Sequence, residues 1–261
     1  EHLFPEDEDE PHPGRIPIVG VAGTRGTATI ARAVAWLIHL GGYPAGLACR
    51  DGLYLNHRRV ERGNQARWEA GHRLLMNRDV QAAVFENGPD SILDHGLAYD
   101  RCQVGVVTDL DGAQALERHD IRESDQLLKV LRTQVDVVLG DGVGVLNAAD
   151  ERIADLAELC DGEVLLYGIA GPQGLPAAIE PHRAQGGRAV ILRDGRVLLA
   201  TGTAETPCVD LAGMLRRRGA TSDARLPEAL LAAIAAAWAF GISPDLIAAG
   251  IETFDLSPPH A

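Results

Sequence analysis

Apolar residues along most of the chain fall in short blocks that alternate with longer stretches of helical periodicity. The first block, Ile16–Ala22, runs into a glycine-rich loop. Thr29–Leu40 then repeats apolar residues at helical spacing until Gly41 and Gly42 end the pattern. A buried strand, a glycine loop and an amphipathic helix in this order are typical of the start of a β-α-β unit.

The same alternation continues to residue 168 and predicts a doubly wound, mostly parallel α/β sheet covered on both faces. The predicted strands after the first are Ala45–Cys49, a hairpin over Leu53–Val60, Val80–Glu86, Cys102–Leu110, Val135–Leu139, Val143–Asn147 and Val164–Tyr167. The predicted helices after the first are Gln65–Asn77, Ile92–Leu97, Arg122–Gln134 and Glu151–Cys160.

The pattern changes after residue 168. Arg188–Leu192 and Val197–Ala200 flank an Asp-Gly pair, which predicts a β-hairpin. Leu226–Phe240 is an alanine-rich helix with a proline near its start, and another helix begins at Ser243. We therefore divide the chain into an acidic, proline-rich linker (1–14), an α/β core (15–168), a hairpin and helical extension (169–256) and a tail (257–261).

Charge and cysteine usage exclude several functions. The formal net charge of −13 repels nucleic-acid phosphates and anionic lipid heads, so we expect binding to neither. No apolar run reaches the ~18 residues of a membrane span, and no secretory signal is present. The scattered cysteines predict free thiols in the cytoplasm: Cys49, Cys102, Cys160 and Cys208. A first residue of Glu1 rather than Met predicts a fragment of a longer chain or a processed product.

The segment Gly20–Ile30, GVAGTRGTATI, has the glycine frame of a phosphate-binding loop. Such a loop cradles phosphate on backbone N–H groups, while a lysine reaches the outer phosphates and the next hydroxyl holds Mg²⁺. Here the lysine position is Thr27 and the hydroxyl position is Ala28. The glycine spacing alone fits an ordinary strand-to-helix turn equally well. The one lysine of the chain, Lys129, lies in a predicted helix four residues after Asp125, as a solvated surface lysine would.

Several longer stretches carry a resemblance to a known family. They are LFP ahead of GRIPIVGVAGT, RDGLYLNHRRVERG, SILDHGLAYDRCQVGVVTDL, GVGVLNAADERIADLAELCDGEV, GGRAVILRDGRVLLA and EALLAAIAAAWAFGI. Together they span nearly all of residues 3–256, and DHGLAYDRCQVGVVT is the most specific of them. In these stretches the chain resembles the Mur ligase family, and within it the C-terminal Mur-like half of the cyanophycin synthetases.

The resemblance implies a P-loop-type central domain of an ATP-dependent amide ligase, which activates a carboxylate as an acyl phosphate for attack by an amine. In the cyanophycin synthetases this half adds arginine to the side chains of polyaspartate, and an ATP-grasp half of the same polypeptide adds the aspartate. The implied cofactors are ATP and Mg²⁺, and the implied partners are an ATP-grasp half and further copies in a homo-oligomer.

The resemblance also assigns site residues. It places the nucleotide phosphates on the glycine loop, the adenine beside Asn147 and Asp150, and a metal ion on Glu86. The loop residues carried over are Gly23, Thr24, Arg25, Gly26 and Thr27. Thr108, at the end of a predicted strand, is also kept.

The departures from the family fall on the chemistry. The family loop GTNGKTT has Asn, Lys and Thr where this chain has Arg25, Thr27 and Ala28. An Asp-His pair is replaced by Ala113 and Gln114, and the nucleotide-contacting Asn or His residues are missing from Arg225–Ala229. Loss of a single preorganised donor typically raises a barrier by ~3–4 kcal/mol. We therefore predict a degenerate, inactive ligase module, a pseudoenzyme with a structural or binding role.

Two alternatives stay open at this stage. The first is an active ligase that binds ATP through Arg25, Glu86 and the backbone of Gly23–Gly26. The second is a site for another anion or a dinucleotide, for which Asp51 is a candidate ribose ligand although GxxGxxG is the wrong glycine spacing.

The remaining acidic and histidine side chains give weaker evidence of a functional site. Asp109 and Asp111 are interpreted as an acidic loop rather than a carboxylate pair. No histidine is paired at metal-ligand spacing in the sequence, which predicts solvated or locally satisfied imidazoles.

Overall fold

The computed structural model describes residues 15–257. The predicted linker 1–14 and residues 258–261 of the predicted tail lie outside this part of the chain. Within residues 15–257, no helix combines the length and the apolar character needed to cross a bilayer.

The described strands form one sheet in the order β11-β10-β9-β8-β7-β6-β1-β5-β2-β3-β4. Their bounds are β1 Ile18–Ala22, β2 Ala45–Cys49, β3 Gly52–Leu55, β4 Arg58–Glu61, β5 Ala82–Asn87, β6 Cys102–Val107, β7 Val138–Asn147, β8 Glu163–Ile169, β9 Arg188–Arg193, β10 Arg196–Thr201 and β11 Ala204–Asp210. In the order of the sheet, the strands from β9 across to β2 all run parallel to their neighbours. At the two ends of the sheet, β10 and β11 on one side and β3 and β4 on the other pair antiparallel.

Helices cover both faces of the sheet. Their bounds are α1 Thr27–Leu40, α2 Trp68–Leu75, α3 Pro89–His95, α4 Ser124–Leu131, α5 Thr133–Asp136, α6 Glu151–Ala154, α7 Ile179–Ala184, α8 Leu211–Arg217, α9 Leu226–Phe240 and α10 Pro244–Thr253. One apolar core packs the helices α1, α8, α9 and α10 against one face of the sheet. A second core packs the helices α4, α5, α6 and α7 against the other face. The predicted doubly wound, mostly parallel α/β sheet is confirmed.

Local sequence signals predicted several elements correctly. The bounds of β2 and α9 coincide with the predicted segments. The hairpin between β9 and β10 turns at Asp194 and Gly195, both with positive φ (51° and 78°), as expected of an Asp-Gly turn. The strand β9 pairs with β8, so this hairpin continues the sheet of the core.

The first half of the predicted strand Val135–Leu139 is wrong. Residues Thr133–Asp136 form the helix α5, and β7 begins only at Val138 and continues through the second predicted strand to Asn147. Val135 is fully buried in the core beneath the sheet, so its apolar character serves helix packing. A short run of β-branched residues cannot by itself distinguish these two environments. The strand β11 and the helices α7 and α8 were also not predicted.

Candidate functional site

The glycine loop, residues 23–26, connects β1 to α1 at the carboxyl edge of the sheet. Gly20 in β1 and the two glycines of the loop each meet a local packing or backbone requirement. A Cβ on Gly20 would lie 2.0 Å from the Tyr99 hydroxyl, and a Cβ on Gly23 would lie 1.9 Å from Oγ1 of Thr108. Gly26 precedes α1 with a left-handed φ of 66°. The glycine frame is therefore explained by the fold itself, whether or not the loop holds phosphate.

The backbone amides of this loop are occupied by a carboxylate of the chain. Oδ2 of Asp109 accepts hydrogen bonds from the amides of Thr24 (3.1 Å) and Arg25 (3.2 Å) and from the Thr108 hydroxyl (2.7 Å). Its Oδ1 accepts from the Thr24 hydroxyl and from the Asp111 amide (3.2 Å). Asp109 therefore takes the anion position of a phosphate-binding loop.

The sequence contained one signal for this contact. Asp109 follows Thr108 at the end of β6, and β6 lies directly beside β1. Side chains that follow adjacent parallel strands meet at the same edge of the sheet. Asp111, which the sequence analysis grouped with Asp109 in an acidic loop, forms an ion pair with Nη1 of Arg25 at 2.9 Å.

Glu86, the predicted metal ligand, is fully buried at the end of β5 and its two oxygens are already engaged. Oε1 accepts from the Thr27 hydroxyl (2.7 Å) and from Nε of Arg50 (2.5 Å), and Oε2 accepts from the Arg50 amide (2.7 Å). Nη2 of Arg50 also donates to Oγ1 of Thr27 at 3.1 Å. Thus a guanidinium lies against the residue at the lysine position of the family loop.

Sequence reasoning did not consider Arg50 in this role. Arg50 directly follows β2, which lies next to β5 in the sheet. Its position at the carboxyl edge was the signal that could have predicted its contact with Glu86. The residues present do not fit a magnesium triphosphate. The carboxylate that would ligate the metal is neutralised by Arg50, and the amides that would hold phosphate hold Asp109. Among the described residues, no group of three or more His, Cys, Asp or Glu side chains could hold a metal ion.

The residues predicted to flank adenine are also committed to contacts within the protein. Nδ2 of Asn147 donates to the Thr108 carbonyl (2.8 Å) and to Glu228 (2.7 Å), and its Oδ1 accepts from the Ala149 amide (3.0 Å). Asp150 caps α6 through the Arg152 amide and pairs with the Arg152 guanidinium at 2.7 Å. Their contact with adenine stays a prediction.

A small cavity of about 70 Å³ lies between the glycine loop and the start of α9. Its charged lining groups are Arg25, Asp109, Asp111, Arg225 and Glu228. The hydroxyl of Tyr167 is also buried here, without a hydrogen-bond partner in the described structure. Burial, together with the carboxylates of Glu228 and Asp109, raises the pKa of this hydroxyl well above its usual value. Ligand pockets usually measure about 300–1,000 Å³, so this cavity is too small for a nucleotide.

A larger cavity of about 430 Å³ lies on the other side of the loop, where Arg25 and Arg50 line it with Asn64 and Ser91. A third cavity, of about 1190 Å³, is an open groove at the amino ends of β1 and β6 and contains none of the predicted site residues. The predicted site residues that line a cavity therefore lie around the glycine loop.

The remaining candidates lie elsewhere. Lys129 is exposed on α4, as predicted, but Asp125 pairs with Arg152 (3.0 Å). Two of the imidazoles, which the sequence predicts to be solvated or locally satisfied, hydrogen-bond to each other. Nδ1 of His57 lies 3.0 Å from Nε2 of His39.

The α/β fold is of the Mur ligase type. MurF from Acinetobacter baumannii superposes with a TM-score of 0.59 at 16% identity, covering 93% of this chain and 47% of that one. A UDP-N-acetylmuramoyl-L-alanyl-D-glutamate–2,6-diaminopimelate ligase gives 0.66 at 14% identity, covering 93% and 47%. E. coli FolC in complex with DHPP and ADP gives 0.55 at 15%, covering 92% and 57%. At these identities the likeness establishes the fold alone.

In sequence, the chain is similar to cyanophycin synthetases. It is 30% identical over 255 residues to that of Crocosphaera subtropica and 31% identical over 255 residues to that of Synechocystis. Each match covers 98% of this chain, which spans 28% of the length of either relative. No protein-family model matches the chain. The predicted resemblance to the Mur ligase family and to cyanophycin synthetase is confirmed.

Proposed function

We propose that this chain is a degenerate ligase module of a cyanophycin-synthetase-like protein, with a structural or binding role and no ATP-dependent ligase activity of its own. The contact that carries the proposal is the carboxylate of Asp109 on the amides of Thr24 and Arg25. A phosphate group entering the loop has to displace an internal anion that already has five hydrogen bonds.

Electrostatics supports the same conclusion. Three carboxylates, Asp109, Asp111 and Glu228, line the small cavity beside the loop, against the two guanidiniums of Arg25 and Arg225. A triphosphate bound at the loop, beside these carboxylates, meets like charge at short range, and salt screens such repulsion little in a partly buried site. In the parent polypeptide we place ATP chemistry in an ATP-grasp half, with this module as scaffold or oligomerisation surface.

One observation favours a second candidate, an active ATP-dependent ligase joining an amino acid such as arginine to an acidic peptide. The Arg50 guanidinium lies 3.1 Å from the Thr27 hydroxyl, where it supplies a positive charge in place of the missing lysine. This function requires Asp109 to leave the loop and Glu86 to exchange Arg50 for a metal ion.

Two measurements distinguish the inactive module from the active ligase. They are calorimetric titration with Mg-ATP and an assay of ADP release in the presence of an acidic peptide and arginine. We expect no saturable heat and no ADP release from the natural chain. Asp109→Ala empties the loop and should create measurable binding of ADP or inorganic phosphate, whereas the control Asp111→Ala leaves the loop filled. ADP release by the natural chain that Glu86→Ala abolishes would establish the ligase instead.

A further inference from the structure

A histidine pair joins the far end of α1 to the tip of the β3–β4 hairpin. Nδ1 of His57 lies 3.0 Å from Nε2 of His39, and the two ring centroids are 4.5 Å apart. The Trp36 ring, one turn earlier on α1, lies about 6 Å from both imidazoles. Because α1 separates this pair from the glycine loop by about 20 Å, the two sites are independent.

The hairpin holds His57 in a conformation that histidine does not favour. Asn56 and His57 are the two turn residues between β3 and β4, and both have positive φ, 48° and 61°. A turn of this kind prefers glycine at its second position, because a side chain is disfavoured where φ is positive. The fold nevertheless directs the His57 ring onto the end of α1.

The distance between the two nitrogens is short enough for both imidazoles to bind one metal ion. Imidazole nitrogens bind divalent metals at about 2.0–2.1 Å, so two ligands at a right angle lie about 2.9 Å apart and two in a tetrahedron about 3.4 Å apart. The observed 3.0 Å, set by the hydrogen bond between the two imidazoles, is compatible with a right-angle pair once a metal replaces that bond. Right-angle sets of nitrogen and oxygen ligands are typical of Cu²⁺ and Ni²⁺, whereas Zn²⁺ prefers the tetrahedron.

The surroundings suit a cation. His39 lies in the last turn of α1, where the helix dipole favours positive charge. His57 is exposed, which gives metal ions and coordinating water access.

We infer that Nε2 of His39 and Nδ1 of His57 form a two-histidine site for Cu²⁺ or Ni²⁺, with water in the remaining coordination positions. The metal replaces the hydrogen bond between the imidazoles and ties the hairpin to α1. Neither histidine was paired by sequence reasoning, since they are 18 residues apart and meet only through the β2–β3–β4 arrangement.

The test is titration of the full, untagged chain with Cu²⁺, Ni²⁺ and Zn²⁺ in separate calorimetric experiments, with electron paramagnetic resonance of the Cu²⁺ form. The variants are His39→Gln and His57→Asn, because asparagine tolerates the left-handed turn. The control is His72→Gln, since His72 stacks on Trp68 in α2 at 5.0 Å and contributes nothing to the pair.

We expect one Cu²⁺ per chain with two nitrogen couplings, unchanged in His72→Gln. Each variant of the pair should bind Cu²⁺ at least about tenfold more weakly, since even a changed outer-shell partner typically costs that much. Thermal unfolding without metal checks that the variants are folded. Equal affinity in the natural chain and either variant, no binding at all, or Zn²⁺ binding tighter than Cu²⁺ and Ni²⁺ would each overturn the inference.

Discussion

The amide nitrogen of Thr24 lies 3.1 Å from Oδ2 of Asp109, and this hydrogen bond links the glycine loop to the end of the neighbouring strand. In a phosphate-binding loop the same amide faces a phosphate oxygen. Here the loop keeps its anion-binding shape because a carboxylate of the chain supplies the negative charge. The conformation of the loop therefore does not depend on a nucleotide.

Replacing Asp109 should destabilise the protein much more than replacing its neighbour Asp111. Asp109→Ala leaves the amides of Thr24 and Arg25 without their acceptor, and we expect the free energy of unfolding to fall by about 1–3 kcal/mol. Asp111→Ala removes an exposed ion pair with Arg25 and should cost less than about 1 kcal/mol. Urea denaturation of both variants measures the difference, and equal losses would contradict the structural role of Asp109.

Arg50 and Glu86 should behave as a coupled pair. Arg50→Met leaves the buried Glu86 carboxylate without its guanidinium, which should lower the free energy of unfolding by about 1–3 kcal/mol. Combined with Glu86→Gln, the loss should be smaller than the sum of the single losses, with a coupling of about 0.5–3 kcal/mol.

The exposed pair Arg73–Glu61, with an N–O distance of 2.8 Å, is a matched control for this cycle. Arg73→Met and Glu61→Gln should show a coupling below about 1 kcal/mol, since solvent screens both charges. Strict additivity of the Arg50 and Glu86 substitutions in denaturation experiments would show that the two side chains do not interact.

Gly20 should tolerate no side chain. Its added Cβ would lie 2.0 Å from the Tyr99 hydroxyl and 2.4 Å from Oε1 of Gln134. These groups form a buried hydrogen-bonded cluster with Asn87. Overpacking of this kind costs about 1–3 kcal/mol, so Gly20→Ala should lower the melting temperature clearly. Gly140→Ala, in an open part of β7, should change stability by no more than about 0.5 kcal/mol. Equal melting temperatures would count against the packing described.

Acid should weaken the attachment of the edge strand β11. Hydrogen bonds from Arg193, and also from Arg183, lower the pKa of Glu205 below its ordinary value of 4.5. A carboxyl whose pKa is lower in the folded state contributes stability above its unfolded pKa and loses it as the pH falls through the folded pKa. Glu205→Gln should be less stable at neutral pH and should lose less stability between about pH 5 and pH 3. Parallel pH profiles of unfolding free energy for the two proteins would refute this assignment.

The sequence by itself determined the elements whose signals are local. Residues within one turn or one strand specify the helix Leu226–Phe240, the strand Ala45–Cys49 and the hairpin at Asp194, because periodicity and turn chemistry act between near neighbours. The loss of the loop lysine at Thr27 was equally readable, since it depends on spacing within one motif.

Only the tertiary structure decided what fills the site. Asp109 is 85 residues from Thr24, and Arg50 is 36 residues from Glu86. These side chains meet because the sheet places β1 between β5 and β6 and β2 beside β5, an order that local periodicity does not encode. The same holds for His39 and His57, and for Val135, whose apolar side chain suits a strand or a buried helix until the packing around it is known.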